Sequence, residues 1–346
     1  MRPRLCITLG DPAGIGPEIA VKALREASLY RKCIPILVGD GFVIRDALIN
    51  SHVSLNVSPI RKPEDAVGEF GTVEYLETGV LKPDQYIPGK ISSACGEAGF
   101  RAVTDAIEYA KNRSVAGVVT GPINKEAMHM AGHMYAGHTE IFADYTGTKD
   151  YAMMLMSGSL RVIHCTTHVS LRNACDLISQ PRVERVIELA DQALRMMGLH
   201  NYTIGVAGLN PHSSENGLFG NEEEQKIIPA VLACREKGIS VEGPGPPDTV
   251  FVKALAGQYA CVVAMYHDQG HIPLKLMGFR MDPATGIFSS MSGINMTVGL
   301  PIIRTSVDHG TAFDRAGKNL ANPQSMIEAI ELAALLASGK AGVPND

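Results

Sequence analysis

The sequence predicts an α/β protein with a mainly parallel sheet, and three observations support this prediction. Short apolar runs alternate with longer amphipathic stretches along the chain. The turns between them are rich in small and rigid residues, with 35 glycines and 20 prolines in 346 residues. Several amphipathic stretches begin with proline, whose fixed φ favours the first turn of a helix. This alternation is typical of a parallel sheet covered by helices.

Six short apolar runs are the predicted strands, because strands buried on both faces of a parallel sheet read as continuous apolar sequence. They are Arg4–Leu9, Ile34–Val38, Ala116–Thr120, Leu160–Thr166, Tyr202–Ala207 and Cys261–Tyr266. Five amphipathic stretches are the predicted helices. They are Pro17–Ala27, Glu97–Asn112, Pro181–Met197, Glu222–Lys237 and Pro323–Ser338. The segment Val53–Lys90 gives weak predictions, and the run Met153–Met156 is interpreted as core packing.

Composition excludes several classes of protein. The net charge of −5 argues against a nucleic-acid surface or a polybasic membrane patch. No apolar run reaches the ~18 residues that span a bilayer, and no signal peptide fits the first residues. The seven cysteines are odd in number and scattered, without a CxxC pair. We therefore expect buried reduced thiols and a cytoplasmic protein.

Three histidines stand just past the ends of predicted strands, where ligands bind in parallel sheets. They are His168, His212 and His267. Neutral imidazole is the commonest nitrogen ligand of zinc and related metals, and three such ligands leave a position open for substrate. The alternative is that each is a hydrogen-bonded loop histidine.

The first turn, Gly10–Glu18, superficially resembles a dinucleotide-binding loop. Pro12 interrupts the pattern and no clear acidic strand end follows about 20 residues later, so a pyrophosphate loop is not expected. The turn is instead interpreted as a glycine-rich connection from strand to helix. Asp11 could place a carboxyl group at the ligand-binding edge.

Two cationic residues, Lys275 and Arg304, suit an anionic substrate. Arg304 follows the apolar segment Val298–Ile303. The alternative is surface charge or an ion pair. Another cluster, Gly137–Glu140, presents imidazole, hydroxyl and carboxylate groups together. The acidic run Glu222–Glu224 is interpreted as the first turn of a helix.

Several of these segments occur in the order seen in a known family. They are Gly10-Asp11-Pro12-Ala13-Gly14-Ile15-Gly16-Pro17-Glu18, Thr120-Gly121-Pro122, Gly137-His138-Thr139-Glu140, Leu209-Asn210-Pro211-His212, Tyr266-His267-Asp268-Gln269-Gly270 and Arg304-Thr305-Ser306-Val307-Asp308-His309-Gly310-Thr311. Together they resemble the 4-hydroxythreonine-4-phosphate dehydrogenase family over nearly the whole chain.

The resemblance implies an NAD- or NADP-dependent, divalent-metal-dependent dehydrogenase that oxidises a β-hydroxy acid, whose β-keto product loses CO2. It implies a two-domain α/β/α fold like that of isocitrate and isopropylmalate dehydrogenases, with a cleft between the domains. We expect a first domain of residues 1–125 and 300–346 and a second of residues 126–299. The family works as a homodimer with shared active sites, and neither nucleic acid nor membrane is an expected partner.

The resemblance also assigns residues. The metal ligands, for Zn, Mn, Co or Mg, are His168, His212 and His267, drawn from both subunits. The substrate-binding residues are His138, Thr139, Lys275, Asn295 and Arg304.

The segment His309–Lys318, followed by Ala321-Asn322-Pro323, resembles the adenosine-binding loop of isopropylmalate-type dehydrogenases. By that resemblance Asp314 and Asn322 contact adenine, and His309 with Gly310 lies on the ribose side. The alternative is a loop that caps the helix after Pro323.

Two segments indicate which substrate is used. Arg280–Ser292 is an extra segment relative to the biosynthetic enzyme, and its composition predicts a hairpin. Ser93–Gly99 resembles the branch of the family that handles sugar-acid phosphates. We therefore expect D-threonate or D-erythronate 4-phosphate as substrate, converted to dihydroxyacetone phosphate and CO2. The alternative is 4-hydroxythreonine 4-phosphate, in pyridoxal phosphate biosynthesis.

The reaction needs a base for the substrate hydroxyl, and the candidates are Lys125, Asp248 and Asp268.

Two other classes of function remain as alternatives. A metallohydrolase would use the three histidines to hold a metal ion with a bound hydroxide. That function would not explain the predicted adenosine-binding loop. A non-catalytic sugar-phosphate binding protein would not need a metal site.

Overall fold

The structure is a computed structural model that describes residues 1–283 and 288–340. Its strands, numbered along the chain, are β1 Arg4–Thr8, β2 Ile34–Val38, β3 Asn56–Ile60, β4 Thr72–Leu76, β5 Gly117–Thr120, β6 Ala152–Ser157, β7 Leu160–His164, β8 Ile204–Ala207, β9 Val241–Gly245, β10 Cys261–Ala264, β11 Phe279–Met281, β12 Phe288–Met291, β13 Ile294–Val298 and β14 Ile303–Val307.

The α-helices are α1 Gly16–Ala23, α2 Ala27–Lys32, α3 Gly41–Asn50, α4 Ser93–Lys111, α5 Lys125–Met130, α6 His138–Thr146, α7 Leu171–Leu177, α8 Gln180–Met196, α9 Ile228–Glu236, α10 Val250–Leu255, α11 His267–Gly278 and α12 Gln324–Lys340. Short 3₁₀ turns lie at Pro63–Asp65, Pro83–Gln85 and Pro211–Glu215, and a π-helical turn, Glu223–Ile227, precedes α9.

The contacts divide the chain into two compact units. The first unit is Met1–Lys149 with Leu300–Asp346, and the second is Asp150–Gly299. In the first unit, β3, β4, β2, β1, β5 and β14 are neighbours in that order and every pair is parallel. In the second unit the order is β13, β6, β7, β10, β8 and β9. There β13, β6 and β7 pair antiparallel, and the remaining pairs are parallel. The α/β prediction with a mainly parallel sheet is therefore confirmed.

Helices α5 and α6 lie in the first unit, which differs from the expected boundary at residue 125. Met128 of α5 and Phe142 of α6 are buried in one apolar cluster with Val103 and Ile107 of α4. Because these short helices cover α4, residues 126–149 pack with the first unit rather than the second.

Each predicted strand and helix is present, with ends shifted by a few residues. The predicted helix Glu222–Lys237 divides into the π-helical turn and α9. The apolar segment Val298–Ile303 contains a turn, since β13 ends at Val298 and Gly299 has φ +100. As a result, Arg304 lies inside β14 rather than after it.

The seven cysteines are free thiols, and all except the half-buried Cys175 are buried. Burial raises the pKa of several of these thiols, as at Cys165, to about 12. The prediction of reduced thiols is confirmed, and a cytoplasmic location stays a prediction. Among the described residues, no helix is long and apolar enough to cross a membrane.

Candidate active site

Arg304 forms the centre of a polar group in the first unit. It lies on β14, is only 2% exposed, and donates from Nη2 to Thr120 Oγ1 over 3.0 Å. Its guanidinium carbon lies 5.6 Å from the centre of the Phe142 ring. Burial lowers the pKa of Arg304 to about 10, while the charge of Glu140 acts in the opposite direction. The guanidinium therefore stays charged at neutral pH and suits a small anion.

His138 supplies a second group beside this cation. It is the first residue of α6, and its Nε2 atom is buried and lacks a hydrogen-bond partner among the described residues. Burial, followed by the positive charge of Arg304, holds the pKa of His138 well below 6.5. The ring is thus neutral at pH 7. Thr139 follows it in the first turn of the helix, where backbone N–H groups favour anions.

Three backbone N–H groups of the glycine-rich first turn donate hydrogen bonds to other protein groups. Asp11 N donates to the Pro122 carbonyl over 2.9 Å, Ala13 N to Asp11 Oδ1 over 2.9 Å, and Ile15 N to the Thr311 carbonyl over 2.9 Å. Gly10 has φ +73, and a Cβ there would lie 2.2 Å from the Pro122 oxygen. The turn is therefore a packing element, which agrees with the argument against a pyrophosphate loop.

Asp11, a candidate for a carboxyl group at the ligand-binding edge, is 1% exposed and accepts the Ala13 N–H. Its second carboxyl oxygen has no hydrogen-bond partner among the described residues. Burial raises the pKa of Asp11 to about 6, partly offset by the Ala13 hydrogen bond.

The predicted adenosine-binding loop is held to the first turn and to α1. Besides the Ile15–Thr311 bond, Ala321 N donates to Glu18 Oε1 over 2.7 Å. Lys22 Nζ donates to the Ala321 carbonyl over 2.8 Å and to Glu18 Oε1 over 2.7 Å. These contacts fix the end of the loop without using its side chains.

The four residues assigned to coenzyme binding differ in their surroundings. The Asp314 side chain is 79% exposed, and Gly310 is also exposed. His309 Nδ1 lies 3.1 Å from the Gly310 carbonyl. Asn322 Oδ1 accepts the Gln324 N–H over 2.8 Å at the start of α12. That contact supports the alternative of a helix-capping role for Asn322.

Two of the three predicted metal ligands lie together in the second unit. His168 follows β7 and His267 begins α11 directly after β10, and these strands are parallel neighbours. The carboxyl ends of such strands share one edge of the sheet, so the two ring centres lie only 5.8 Å apart. Both side chains line a cavity of about 280 Å³ with Thr166, Thr167, Val169, Leu171, Ala174, Tyr266 and Asp268.

The His267 ring is fixed by its neighbours. Its Nδ1 atom lies 2.6 Å from Asp268 Oδ1, and its ring stacks on that of His271 at 3.6 Å. A carboxylate on one ring nitrogen leaves the other to bind a metal, an arrangement common around zinc. Imidazole nitrogens bind zinc at about 2.0–2.1 Å, and two ring centres on one ion then lie roughly 5 Å apart. The donor set and its spacing fit one divalent ion.

His212 does not join this pair within one chain. It lies in the turn after β8, is exposed, and has its ring centre 6.4 Å from that of Phe219. Within residues 1–283 and 288–340, no group of three or more His, Cys, Asp or Glu side chains has the spacing of a metal site. The structure therefore brings His168 and His267 together and does not place His212 with them.

Lys275 and Asn295, assigned to substrate binding, lie in the second unit on α11 and β13. Lys275 Nζ lies 4.2 Å from the centre of the Phe279 ring. Asn295 Nδ2 contacts Met153 Sδ at 3.1 Å. Between them, β11 and β12 pair antiparallel, with Phe279 opposite Met291. The predicted hairpin is confirmed, although its residues 284–287 lie outside the described part of the chain.

The candidate bases occupy three different places. Lys125 is exposed at the start of α5, which Asn124 caps by accepting the Ala127 N–H over 2.8 Å. Asp248 is exposed in the turn before α10. Asp268 contacts His267, as described above.

Sequence reasoning missed three residues of the second unit. His271 lies one helical turn after His267, a spacing that could have indicated it. His164 lies within an apolar strand, is 1% exposed, and burial lowers its pKa to about 3, with His271 contributing. Glu223 was interpreted as part of an acidic helix turn, yet it is buried and accepts hydrogen bonds from Leu209 and Asn210. No sequence signal indicates that contact.

Comparison with known proteins gives the family. A family model described as pyridoxal phosphate biosynthetic protein PdxA matches residues 31–333. The D-threonate 4-phosphate dehydrogenase of Pectobacterium atrosepticum is 46% identical over 96% of this chain and 99% of its own. The enzyme of the same name from Cupriavidus necator is 45% identical over 98% of both chains. The chain belongs to the PdxA family. The family resemblance seen in the sequence motifs is therefore confirmed.

A solved structure shares the PdxA fold over nearly the whole chain. The 4-hydroxythreonine-4-phosphate dehydrogenase of Klebsiella pneumoniae is 45% identical, covers 97% of this chain and 99% of that chain, and has a TM-score of 0.84. These PdxA relatives are named dehydrogenases. The chain is accordingly a dehydrogenase of this family, and the metallohydrolase alternative is not supported.

Proposed function

We propose that the protein oxidises a phosphorylated four-carbon sugar acid, D-threonate or D-erythronate 4-phosphate, with NAD or NADP. Hydride leaves carbon 3 for the nicotinamide, the hydroxyl proton goes to a base, and the β-keto acid loses CO2 to give dihydroxyacetone phosphate. The observation that carries the proposal is the buried Arg304 guanidinium beside the neutral His138 ring, because this pair suits an anionic group. The substrate is taken from the names of the relatives that match the chain over nearly all of its length.

The substrate-binding roles follow from charge. Arg304 donates to an anionic oxygen, and His138 and Thr139 contribute hydrogen bonds from the start of α6. Lys275 and Asn295 are proposed to contribute an ammonium and an amide group to substrate binding. Variants of each of these five residues should therefore raise the KM for the phosphorylated substrate.

The proposed metal ligands are His168 and His267 of one chain and His212 of the partner subunit. A divalent ion held by these residues would supply Lewis-acid chemistry, lowering the pKa of the substrate hydroxyl. Imidazole ligands favour zinc or cobalt, while magnesium prefers oxygen ligands. Asp268 orients the His267 ring through its contact with Nδ1.

A shared site requires a homodimer, and mixing two inactive variants tests this requirement. His212→Ala and His267→Ala chains should each be inactive alone. A mixed dimer contains one site with all three histidines if His212 comes from the partner subunit, so mixing should restore activity. If all three ligands came from one chain, mixing would restore nothing.

The coenzyme is proposed to bind along the loop from His309 to Asn322. Asp314 is the exposed acidic side chain there, and a carboxylate disfavours an additional phosphate by charge repulsion. NAD is therefore favoured over NADP. Titration of wild type and Asp314→Asn with both coenzymes tests this, and a wild type that prefers NADP would contradict it.

The base is proposed to be Lys125 or Asp248, since Asp268 contacts His267. The variants Lys125→Met and Asp248→Asn distinguish these two candidate bases. The variant that lacks the base should lose kcat and keep its affinity for the metal.

The experiment that tests the function is NADH formation by metal-loaded protein. D-threonate 4-phosphate, D-erythronate 4-phosphate and 4-hydroxythreonine 4-phosphate are compared side by side, with His212→Ala as the control. Turnover of a sugar-acid phosphate, lost in the control, is the expected result. Turnover of 4-hydroxythreonine 4-phosphate alone would instead assign the protein to pyridoxal phosphate biosynthesis.

A further inference from the structure

Glu223 makes an unusual set of contacts for an acidic residue outside the proposed substrate and metal ligands. Its side chain is 1% exposed and stands at the start of the π-helical turn before α9. Oε1 accepts the backbone N–H groups of Leu209 and Asn210 over 2.8 and 2.7 Å. Oε2 accepts from Asn210 Nδ2 over 2.8 Å. A buried carboxylate with this many donors forms strong, charge-assisted hydrogen bonds.

The anchored backbone leads directly into His212. Pro211 alone separates Asn210 from it, and the next residues have left-handed backbones, with φ +52 at His212, +57 at Ser213 and +66 at Ser214. Consecutive non-glycine residues in this region are strained, and such strain persists only where the surroundings fix it. Glu223 fixes the entrance of the turn, and Ser213 Oγ donates to the Pro244 carbonyl over 3.1 Å further along.

The Glu223 carboxylate can pack close to the turn because residue 208 is a glycine. A Cβ at this position would lie 3.1 Å from Glu223 Oε1 and 2.9 Å from Ser213 Oγ. A side chain at 208 would therefore press on both groups that hold the turn. The close packing indicates that the turn has one defined conformation.

We infer that Glu223 is a positioning residue for His212, holding the imidazole where it can complete the metal site. This inference rests on the proposed role of His212 as a metal ligand. Glu223 touches neither metal nor substrate and acts through the Leu209–His212 backbone. Loss of its carboxylate should weaken metal binding while coenzyme binding stays unchanged.

Glu223→Gln is the direct test, because it keeps the shape and replaces one acceptor oxygen by an NH2 donor. That donor would face either the two backbone N–H groups or Asn210 Nδ2. We expect cobalt affinity, measured by titration in the visible spectrum, to fall by about 10- to 100-fold. Glu224→Gln removes the same charge from the neighbouring exposed residue, and we expect it to bind cobalt like wild type.

A double-mutant cycle separates positioning from a general structural effect. If Glu223 acts through His212, Glu223→Gln should cause no further loss of cobalt affinity in the His212→Ala background. An equal loss in both backgrounds, or wild-type affinity in Glu223→Gln, would overturn the inference.

Two further results are distinguishable. Should Glu223→Gln fail to fold, Asn210→Ala removes the side-chain donor that Glu223 Oε2 shares with Glu222 Oε2 and keeps both Oε1 contacts. This variant should give a smaller loss of cobalt affinity, and wild-type affinity in it would overturn the inference. A wild-type protein that binds no cobalt would overturn the proposed metal site and this inference together. Normal cobalt binding with an unchanged Glu223→Gln variant would overturn the inference alone.

Discussion

Arg304 and Thr120 join two strands through a hydrogen bond of 3.0 Å, although 184 residues separate them in the sequence. Their strands, β14 and β5, are parallel neighbours. The bond holds a buried guanidinium at a fixed place beside His138. This arrangement is the structural basis for assigning an anionic substrate to the first unit.

Replacing Arg304 with Gln should raise the KM for the phosphorylated substrate by about 10- to 100-fold, because hydrogen bonds to charged groups contribute about 1.5–3 kcal/mol. The metal affinity should not change, since the proposed metal ligands lie in the second unit. Steady-state kinetics measure the KM, and Arg31→Gln, at an exposed arginine of the same unit, is the matched control. An unchanged KM in Arg304→Gln would contradict the assignment.

Asp11 should make stability decrease as pH rises. Its pKa is about 6 in the folded protein against 3.8 for an ordinary aspartate, so the folded state binds the proton more tightly between these values. The free energy of unfolding therefore falls as pH rises through this range.

Asp11→Asn should remove this pH-dependent decrease in stability. The variant should be more stable than wild type by on the order of 2 kcal/mol at about pH 7.5, with a smaller gain at about pH 4.5. Urea unfolding at both pH values measures this. Asp84→Asn, at an exposed aspartate, should change neither value, and an Asp11→Asn variant with no pH-dependent gain would refute the argument.

Two ion pairs should differ in their contribution to stability because one is buried. Glu18 accepts from Lys22 and from the Ala321 N–H, both at 2.7 Å, and is almost fully buried. Glu18→Ala should lower the free energy of unfolding by about 3 kcal/mol, because it removes the carboxylate that neutralises a largely buried lysine and accepts the Ala321 N–H. Glu331 pairs with Lys32 at 2.7 Å on the surface, and Glu331→Ala should cost less than about 1 kcal/mol.

Because Glu18 also holds Ala321, Glu18→Ala should weaken NAD binding as well as folding. Calorimetric titration measures this affinity, with Glu331→Ala as the control. Full NAD affinity in a destabilised Glu18→Ala variant would show that the Ala321 end of the loop does not bind the coenzyme.

One variant, Asp268→Asn, decides whether Asp268 positions His267 or acts as the base. If it orients His267, Asp268→Asn should lower metal affinity by about 10-fold or more. If it is the base, kcat should collapse while metal affinity stays at the wild-type value. Metal titration and kinetics on the same preparation decide between these results, and the structure favours the first.

Much of the fold was predictable from the sequence because buried parallel strands are continuous apolar runs. Strand β14 was missed because Arg304 lies within it, and a charged residue in a strand is not what hydrophobic patterning predicts. Strands β3 and β4 fall in the segment that gave weak predictions, since β3 is only partly buried and its pattern is mixed.

The site was predictable to a different degree at each residue. His168 and His267 meet because they follow neighbouring parallel strands, a relation that sequence order alone can indicate. His212 lies in a run of consecutive left-handed residues, and the backbone just before it is hydrogen-bonded to the buried Glu223. The contact with Glu223 is a tertiary one. Local propensity contains no information about either.

We propose that this chain is a decarboxylating, nicotinamide-dependent dehydrogenase of a sugar-acid phosphate. The most direct measurement is the simultaneous release of NADH and CO2 from D-threonate 4-phosphate by the metal-loaded protein. We expect the two products in equimolar amounts, and neither from the His267→Ala variant. NADH without CO2, or turnover that survives removal of the metal by a chelator, would contradict the account.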